Sequence, residues 1–126
     1  MADSRPIYLN LFKIRLPVTG ILSFAHRITG ALLFLSLPFL VWLLDQSLSG
    51  ESAFQQVMHL LSLTLVKLGM LTLVWCLIHH LYAGIRFLLI DLDIGVSKSA
   101  STRSAWLVLA LELLTMIALG IVWLQP

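Results

Sequence analysis

The sequence HHLYAGIRFLLID, residues 79–91, ends a long apolar run that begins near Leu60. It places two imidazoles, a glycine and an arginine where a plain membrane anchor would carry only Leu, Ile and Val. At about 3.6 residues per turn, one helical face carries a histidine, two small residues and an aromatic ring: His80, Ala83, Gly84 and Phe87. A neutral imidazole beside small residues can ligate the iron of a flat haem. The alternative is a packing histidine that hydrogen-bonds a neighbouring helix.

The composition of the chain indicates an integral membrane protein. Of its 126 residues, 60% are hydrophobic and only 11% are charged, and the mean hydropathy is +1.00. Soluble domains carry about 25% charged residues, so this chain lacks the polar surface of a soluble fold. The formal charge of +2 is too small to indicate a nucleic-acid partner, and none is expected. The single cysteine, Cys76, excludes an intrachain disulfide.

Three apolar segments predict an all-α fold with three transmembrane helices in one domain, residues 1–126. The predicted parts are a surface segment and three spans: residues 1–19, then about 21–46, 62–90 and 105–124. Residues 53–59 are expected to begin a surface helix that continues into the second span. Because the apolar run from Leu60 to Ile90 is longer than a bilayer core, this helix must tilt or protrude, with Lys67 reaching the nearer interface.

The basic residues predict the orientation of the chain in the membrane. They cluster in the N-terminal part and around the second loop: Arg5, Lys13, Arg15 and Arg27, then Arg86, Lys98 and Arg103. The first loop, residues 45–59, has neither Lys nor Arg. The positive-inside rule therefore places the N-terminus and the second loop in the cytoplasm. The N-terminal residues resemble neither a signal peptide nor a transit peptide, so a multi-pass protein of a bacterial inner membrane is expected.

A second polar cluster opens the first span, with Ser23, His26, Arg27 and Gly30 on adjacent turns. A hydroxyl and a guanidinium side by side suit an oxygen that carries negative charge, either a quinone oxygen on reduction or a haem propionate. His26 beside them can relay protons. Arg86 reaches the same level of the membrane. For this arginine, binding of lipid phosphates at the helix end is an equally open alternative.

Together the two clusters resemble the cytochrome b membrane-anchor family of succinate:quinone oxidoreductase, complex II. The N-terminal pattern consists of Arg5-Pro6-Ile7, then Val18, then Ser23-x-x-His26-Arg27-x-Thr29. The second pattern is His80-x-x-x-Gly84-Ile85-Arg86-Phe87-Leu88, followed by Asp91. The chain departs from the family at Phe87, where histidine is common. Glu112, inside the third span, belongs to no motif of the family.

The resemblance implies a membrane-anchor subunit within a larger enzyme. In that family a flavoprotein subunit oxidises succinate, and an iron–sulfur subunit carries the electrons to the membrane. A second three-span anchor completes the helical bundle. The two anchors share one haem b and form a site at which ubiquinone, the substrate, is reduced. The chain itself has no soluble domain for a flavin, which agrees with a division of the chemistry among subunits.

The resemblance also implies a role for each matching residue, and none of these is catalytic on its own. His80 would be one axial haem ligand, and the partner anchor would supply the other. His80 is preferred to His79 because its spacing to Gly84 fits the motif. Ser23 and Arg27 would bind quinone. The remaining assignments place three residues near the haem propionates, His26, Arg27 and Arg86, and three small ones against the haem, Gly30, Ala83 and Gly84.

Three other functions are compatible with the sequence. The first is the anchor of a fumarate reductase that works with menaquinone, and the second is an assembly anchor without haem. The third is a transporter or channel subunit in which Lys67 and Glu112 line a pathway, although the chain lacks the internal repeats of transporters. Under every reading Glu112 is expected to be protonated or partnered in the membrane, with a hydrogen bond to a neighbouring helix favoured.

Overall fold

The computed structural model describes residues 16–124, which form four helices and no strand. Their bounds are α1 Val18–Leu48, α2 Glu51–Ser62, α3 Thr64–Asp91 and α4 Lys98–Leu124. Within the described residues, α1, α3 and α4 are each long and apolar enough to cross a membrane. The prediction of a multi-pass, all-α membrane protein with three spans is confirmed. Most of the predicted surface segment lies outside the described residues.

Helix α1 begins directly after Pro17 and is longer than the predicted first span. Pro17 has an extended backbone, and its carbonyl accepts the first helical hydrogen bonds, from the backbone N–H groups of Gly20 and Ile21 at 2.9 and 3.1 Å. The 31 residues of α1 measure about 46 Å, which exceeds a bilayer core of about 30 Å. Pro38 lies inside α1 without ending it, as membrane helices tolerate.

The prediction of one helix running from residue 53 to residue 90 is wrong, because the helix is interrupted at Leu63. This residue has an extended backbone, with φ −66° and ψ 131°, and it separates α2 from α3. Just before the break, the Ser62 hydroxyl bonds the His59 carbonyl at 2.7 Å, an arrangement that competes with regular helix. The separate α2 carries its polar and apolar residues on opposite sides, which suits a helix lying at the membrane surface.

Helix α4 begins at Lys98, which is before the predicted start of the third span near residue 105. Between α3 and α4, Gly95 has φ +77°, a left-handed conformation that glycine adopts without strain. Asp93 also has positive φ, at 59°. The hydroxyl of Ser97 accepts a hydrogen bond at 3.3 Å from the Ala100 backbone N–H and caps the start of α4.

Helix α3 packs against both α1 and α4. The cluster of buried side chains at their junction is small in volume, and it consists of Leu22, Ala83, Ala105 and Val108. Small residues let membrane helices approach closely. Side-chain contacts between these helices put the start of α1, the end of α3 and the start of α4 at one end of the bundle. Among the described residues, the basic side chains predicted to be cytoplasmic therefore share one end: Arg27, Arg86, Lys98 and Arg103.

Candidate functional site

Helix α3 presents a different set of polar side chains to each of its two neighbours. Consecutive residues of an α-helix point about 100° apart, so His79 and His80 face different helices. The α1-facing seam, which contacts α1, consists of His80, Gly84 and Phe87. The α4-facing seam, which contacts α4, consists of His79, Tyr82 and Arg86. Three members of the predicted common face, His80, Gly84 and Phe87, thus contact α1. The fourth, Ala83, lies in the buried core cluster.

On the α1-facing seam, the imidazole rings of His80 and His26 stack in parallel. Their centroids are 4.0 Å apart and their planes differ by 6°. His80 Nδ1 also lies 3.1 Å from the His26 carbonyl oxygen. A carbonyl only accepts hydrogen bonds, so Nδ1 must carry the proton. In the neutral ring Nε2 is then the unprotonated nitrogen, which is the form that binds a metal ion.

Two glycines make this stack possible, and they are arranged reciprocally. Each histidine precedes a glycine by four residues on its own helix, and each glycine lies opposite the other helix's histidine. A Cβ atom added to Gly30 would lie 2.8 Å from His80 Cε1. One added to Gly84 would lie 3.3 Å from His26 Nε2. The first distance is shorter than real Cβ contacts, so any other residue at position 30 would force the His80 ring to shift.

The backbone carbonyl of His26 has a side-chain hydrogen-bond partner, whereas Nε2 of its ring has none among the described residues. The Thr29 hydroxyl is buried and lies 3.0 Å from the carbonyl oxygens of both Ala25 and His26. The edge of the Phe87 ring approaches the His26 ring at 5.1 Å between centroids. His26 Nε2 is buried and has no hydrogen-bond partner among residues 16–124. The sequence indicated a proton-relay or propionate role for His26 but not its stacking on His80.

Ser23 and Arg27 lie on α1 beside this stack and not within it. Ser23 is half-buried and Arg27 is exposed, and their spacing of four residues puts them on the same side of the helix. The structure therefore brings His26 against His80 and leaves the Arg27 guanidinium at the surface of the chain. A guanidinium there can donate two parallel hydrogen bonds to an anionic group held between subunits. The family pattern around Arg5 lies outside the described residues.

On the α4-facing seam, His79 and Glu112 form a buried pair. His79 Nδ1 is 2.9 Å from Glu112 Oε2, and the side chains are only 3% and 8% exposed. His79 Nε2 is buried without a partner among the described residues, and the Trp75 ring lies tilted against the imidazole at 5.7 Å. Glu112 thus has the hydrogen bond to a neighbouring helix that the sequence analysis favours. Its partner could not be identified from the sequence.

Arg86 is bonded to the first turns of α4. Its Nε donates to Ser104 Oγ at 2.9 Å, and its Nη2 donates to the carbonyl oxygen and the Oγ of Ser101 at 3.0 and 2.8 Å. Only 5% of the residue is exposed, which excludes a side chain that extends into the lipid headgroups. A guanidinium has five N–H groups, and these bonds use three, so Nη1 remains available to a further group. Neither serine was singled out in the sequence.

The remaining two candidates of the sequence analysis lie elsewhere. Ala83 is fully enclosed within the buried core cluster, so its side chain has no exposed surface. Lys67 lines an apolar cavity of about 600 Å³ between α3, α4 and the end of α2. It lies 12 residues before His79, which is about 18 Å along the helix. Lys67 and Glu112 therefore do not meet, and the contacts give no support to a pathway between them.

The polar groups of the described residues do not form a classical metal site of one chain. Among residues 16–124, no group of three or more His, Cys, Asp or Glu side chains is placed to hold a metal ion. A haem needs only axial ligands from the protein, because the porphyrin supplies the other four. The α1-facing seam offers one such ligand, at His80 Nε2.

Comparison with known proteins gives a family for this arrangement. The model of the family described as succinate dehydrogenase/fumarate reductase transmembrane subunit matches residues 1–119. A Coxiella burnetii protein named succinate dehydrogenase cytochrome b556 subunit is 34% identical, over 98% of this chain and 99% of its own. A protein of the same name from Paracoccus denitrificans is 29% identical, over 87% of this chain and 88% of its own. Another from Rickettsia felis is 28% identical, over 89% of this chain and 87% of its own.

Proposed function

We propose a function for this chain on the basis of its family, because it belongs to the succinate dehydrogenase/fumarate reductase transmembrane subunit family. It is a membrane-anchor subunit of a succinate dehydrogenase. In this proposal it binds haem b and helps to form the ubiquinone-reduction site. Electrons reach it from an iron–sulfur subunit, which receives them from a flavoprotein subunit that oxidises succinate. The single observation that carries the haem assignment is the hydrogen bond from His80 Nδ1 to the His26 carbonyl, at 3.1 Å.

This hydrogen bond supports His80 as the axial ligand in two ways. It holds the proton on Nδ1, so that Nε2 keeps the lone pair that a metal ion needs. It also fixes the plane of the ring, together with the stacked ring of His26. Partners of this kind on a metal-binding histidine commonly change metal affinity by 10–100-fold. When bound, haem supplies a carrier for one electron at a time.

The two glycines of this seam make room for the imidazole rings, because Gly30 lies against His80 and Gly84 against His26. The packing of Gly30 and Gly84 against the haem stays a prediction. His26 and Arg27 are the residues that we propose to hold the propionates, since Arg27 is exposed and Nε2 of His26 lacks a partner among the described residues. The packing of Ala83 and the contact of Arg86 with a propionate stay predictions.

The geometry also supports a second anchor subunit. A haem that carries electrons with two protein ligands would need a second one besides His80. His26 cannot be the second, because its ring lies parallel to that of His80 and only 4.0 Å away, on the same side. We therefore propose that the partner anchor supplies the other ligand. Phe34 and Leu35, each 71% exposed, are among the apolar side chains that a partner helix or lipid would cover.

The pair of Ser23 and Arg27 suits the reduction of ubiquinone. Adding electrons to a quinone puts negative charge on its carbonyl oxygens before protons arrive. A fixed cation and a hydroxyl one helical turn apart stabilise that charge, and such preorganised donors are effective where water is excluded. Their position near the start of α1 is at the end of the bundle that the basic residues predict to be cytoplasmic. An iron–sulfur subunit would bind at that end.

The comparisons favour succinate oxidation over the alternatives. The family covers both succinate dehydrogenases and fumarate reductases, but the relatives from Coxiella, Paracoccus and Rickettsia are all named for succinate dehydrogenase. The same names include cytochrome b556, which favours a haem-binding anchor over an assembly anchor without haem. Because these relatives are bacterial, we propose the bacterial inner membrane as the location.

A single preparation tests the proposal. The chain is expressed with a tag in its native host, and the intact complex is purified in mild detergent. We expect a reduced-minus-oxidised spectrum with a b-type haem band, one haem per complex, and three co-purifying subunits. These are a flavoprotein, an iron–sulfur protein and a second three-span protein. A complex that contains all subunits but no haem would support the assembly-anchor alternative and contradict the proposal.

A further inference from the structure

The hydrogen bond between His79 and Glu112 has no part in the proposed haem or quinone chemistry. Among residues 16–124 it is the only side-chain hydrogen bond whose two partners are both buried. Burying a carboxyl group inside a membrane is costly, so a plain apolar residue would serve better if α4 only had to pack against α3. The position of the pair next to His80 suggests what Glu112 contributes.

We infer that Glu112 is a positioning residue for the haem ligand: by holding His79 it fixes the rotation of α3 that turns His80 toward α1. The inference rests on the proposed function, because it concerns His80 as an axial ligand. His79 is bonded at one ring nitrogen only, and its other nitrogen has no partner among the described residues. Within the described chain, Glu112 is therefore the one hydrogen-bonded attachment point of this ring.

The coupling follows from the geometry of a helix. His79 and His80 are neighbours on one rigid backbone, so a rotation of α3 about its axis moves both rings together. An atom about 5 Å from the axis moves by about 1 Å when the helix rotates by about 10°. A shift of that size is enough to break the 3.1 Å bond from His80 Nδ1 to the His26 carbonyl. The same shift would press the His80 ring against Gly30 or withdraw it.

The other bonds of the α4-facing seam lie farther from the ligand. Arg86 bonds the first turns of α4, almost two turns of α3 beyond His80. The Tyr82 hydroxyl bonds Thr115 Oγ1 at 2.9 Å, through a longer side chain and with a partly exposed partner. The bond of Glu112 acts on the residue adjacent to His80 and is shielded from solvent. It is thus the contact best placed to set the direction of the ligand.

The test compares Glu112→Leu with Glu112→Gln in the purified holo-complex. Glutamine keeps a side-chain amide that can accept from or donate to His79 Nδ1, whereas leucine removes the bond. The first readout is the electron paramagnetic resonance signal of the oxidised low-spin haem, which depends on the orientation of the axial imidazole planes. The second is the rate at which haem transfers to added apomyoglobin. The matched control is Leu113→Ala, since Leu113 is 62% exposed on the same turn.

We expect Glu112→Leu to shift or broaden the low-spin signal and to speed haem transfer by about 10-fold, the lower end of the effect of indirect ligand partners. Glu112→Gln and Leu113→Ala should match the wild type in both readouts. If Glu112→Leu prevents assembly, Glu112→Asp replaces it, because a shorter carboxylate should still shift the signal while glutamine does not. An unchanged signal in the leucine or aspartate variant would overturn the inference, even where less complex is recovered.

A failure of the proposed function would look different. In that case the wild-type complex would contain no low-spin haem, or His80→Leu would leave the haem signal intact, before any Glu112 variant is compared. The inference fails separately when the wild type has a low-spin haem that depends on His80, but the signal is indifferent to residue 112.

Discussion

The imidazole rings of His26 and His80 lie parallel with their centroids 4.0 Å apart, and each ring crosses the opposite helix at a glycine. This arrangement explains why the sequence repeats His-x-x-x-Gly in two spans, at residues 26–30 and 80–84. In this antiparallel pair of helices, each histidine ring packs over a glycine of the partner helix. That glycine lies about one turn from the partner helix's own histidine. The repeated spacing therefore reflects the contact between α1 and α3 as well as a candidate ligand.

Replacing each adjacent histidine separately tests which one is the ligand. His80→Leu should abolish the low-spin haem spectrum, since Nε2 of His80 is the nitrogen that the hydrogen bond to His26 leaves unprotonated. His79→Leu should retain a haem with two axial ligands, with an altered signal because Glu112 loses its partner. Optical and electron paramagnetic resonance spectra of the purified complexes make the comparison. The reverse pattern would show that His79 is the ligand.

The two glycines should differ in their tolerance of a methyl group. At Gly30 the new Cβ would lie 2.8 Å from His80 Cε1. If His80 binds iron as proposed, its ring could not move away. We expect Gly30→Ala to cost about 1–3 kcal/mol by overpacking and to lower the haem content per complex. Gly84→Ala should have a smaller effect, because its Cβ would lie 3.3 Å from a His26 ring that can shift.

The control for both substitutions is Gly69→Ala. Gly69 is also within α3, but nothing lies within 4 Å of the position that its Cβ would occupy. Haem content in Gly69→Ala should be unchanged, and the helix should gain stability, since alanine favours a helix over glycine by about 1 kcal/mol. Haem content is measured by the pyridine haemochrome assay. Equal values in the Gly30 and Gly69 variants would show that the His80 ring does not need glycine at position 30.

The quinone assignment predicts a loss confined to one half of the reaction. Ser23→Ala and Arg27→Leu should slow the reduction of ubiquinone by about 10²–10³-fold, as the loss of one preorganised donor to a developing anion does. Succinate oxidation with a water-soluble acceptor should persist, because in the proposed complex it takes place in the flavoprotein subunit. The ratio of the two activities in the same preparation is the measurement. A parallel fall in both would indicate an assembly role for these residues.

Some of this structure follows from the sequence because local periodicity determines it. The apolar lengths predict three spans, and the helical period predicts that His80, Gly84 and Phe87 share a face. The break at Leu63 was not predicted, because the apolar run contains neither glycine nor proline at that point. The stack of His26 on His80 could not be predicted either, since the relative rotation of two helices depends on packing over their whole length.

Among the polar residues of the spans too, the sequence predicts some features and leaves others undetermined. A carboxyl group in a membrane must have a partner, so the sequence predicts that Glu112 is bonded. It does not identify His79, because residues 33 positions apart meet only through the α3–α4 contact. For Arg86 the sequence left two environments open. The structure gives a third, the first turns of α4, whose serines look like ordinary loop residues in the sequence.

Arg86 allows a prediction that separates its bond to α4 from its predicted contact with a propionate. Arg86→Gln removes three hydrogen bonds to Ser101 and Ser104. Side-chain hydrogen bonds in membrane proteins average about 0.6 kcal/mol, so the loss should be about 2 kcal/mol. It should be no larger, because the Ser104 hydroxyl keeps its own bond to the Ser101 carbonyl at 3.0 Å. The melting temperature of the complex in detergent should fall accordingly.

The midpoint potential of the haem then decides between the two contacts of Arg86. A cation beside a propionate stabilises the reduced haem, which carries one more negative charge, so its removal would lower the potential. Since the bonds to α4 leave Nη1 available for the predicted propionate contact, we expect Arg86→Gln to lower both the melting temperature and the potential. An unchanged potential would contradict the propionate contact. Arg103→Gln, at an exposed residue of α4, removes the same charge and should change neither quantity. A lower potential in the Arg86 variant alone would establish the propionate contact, made through Nη1.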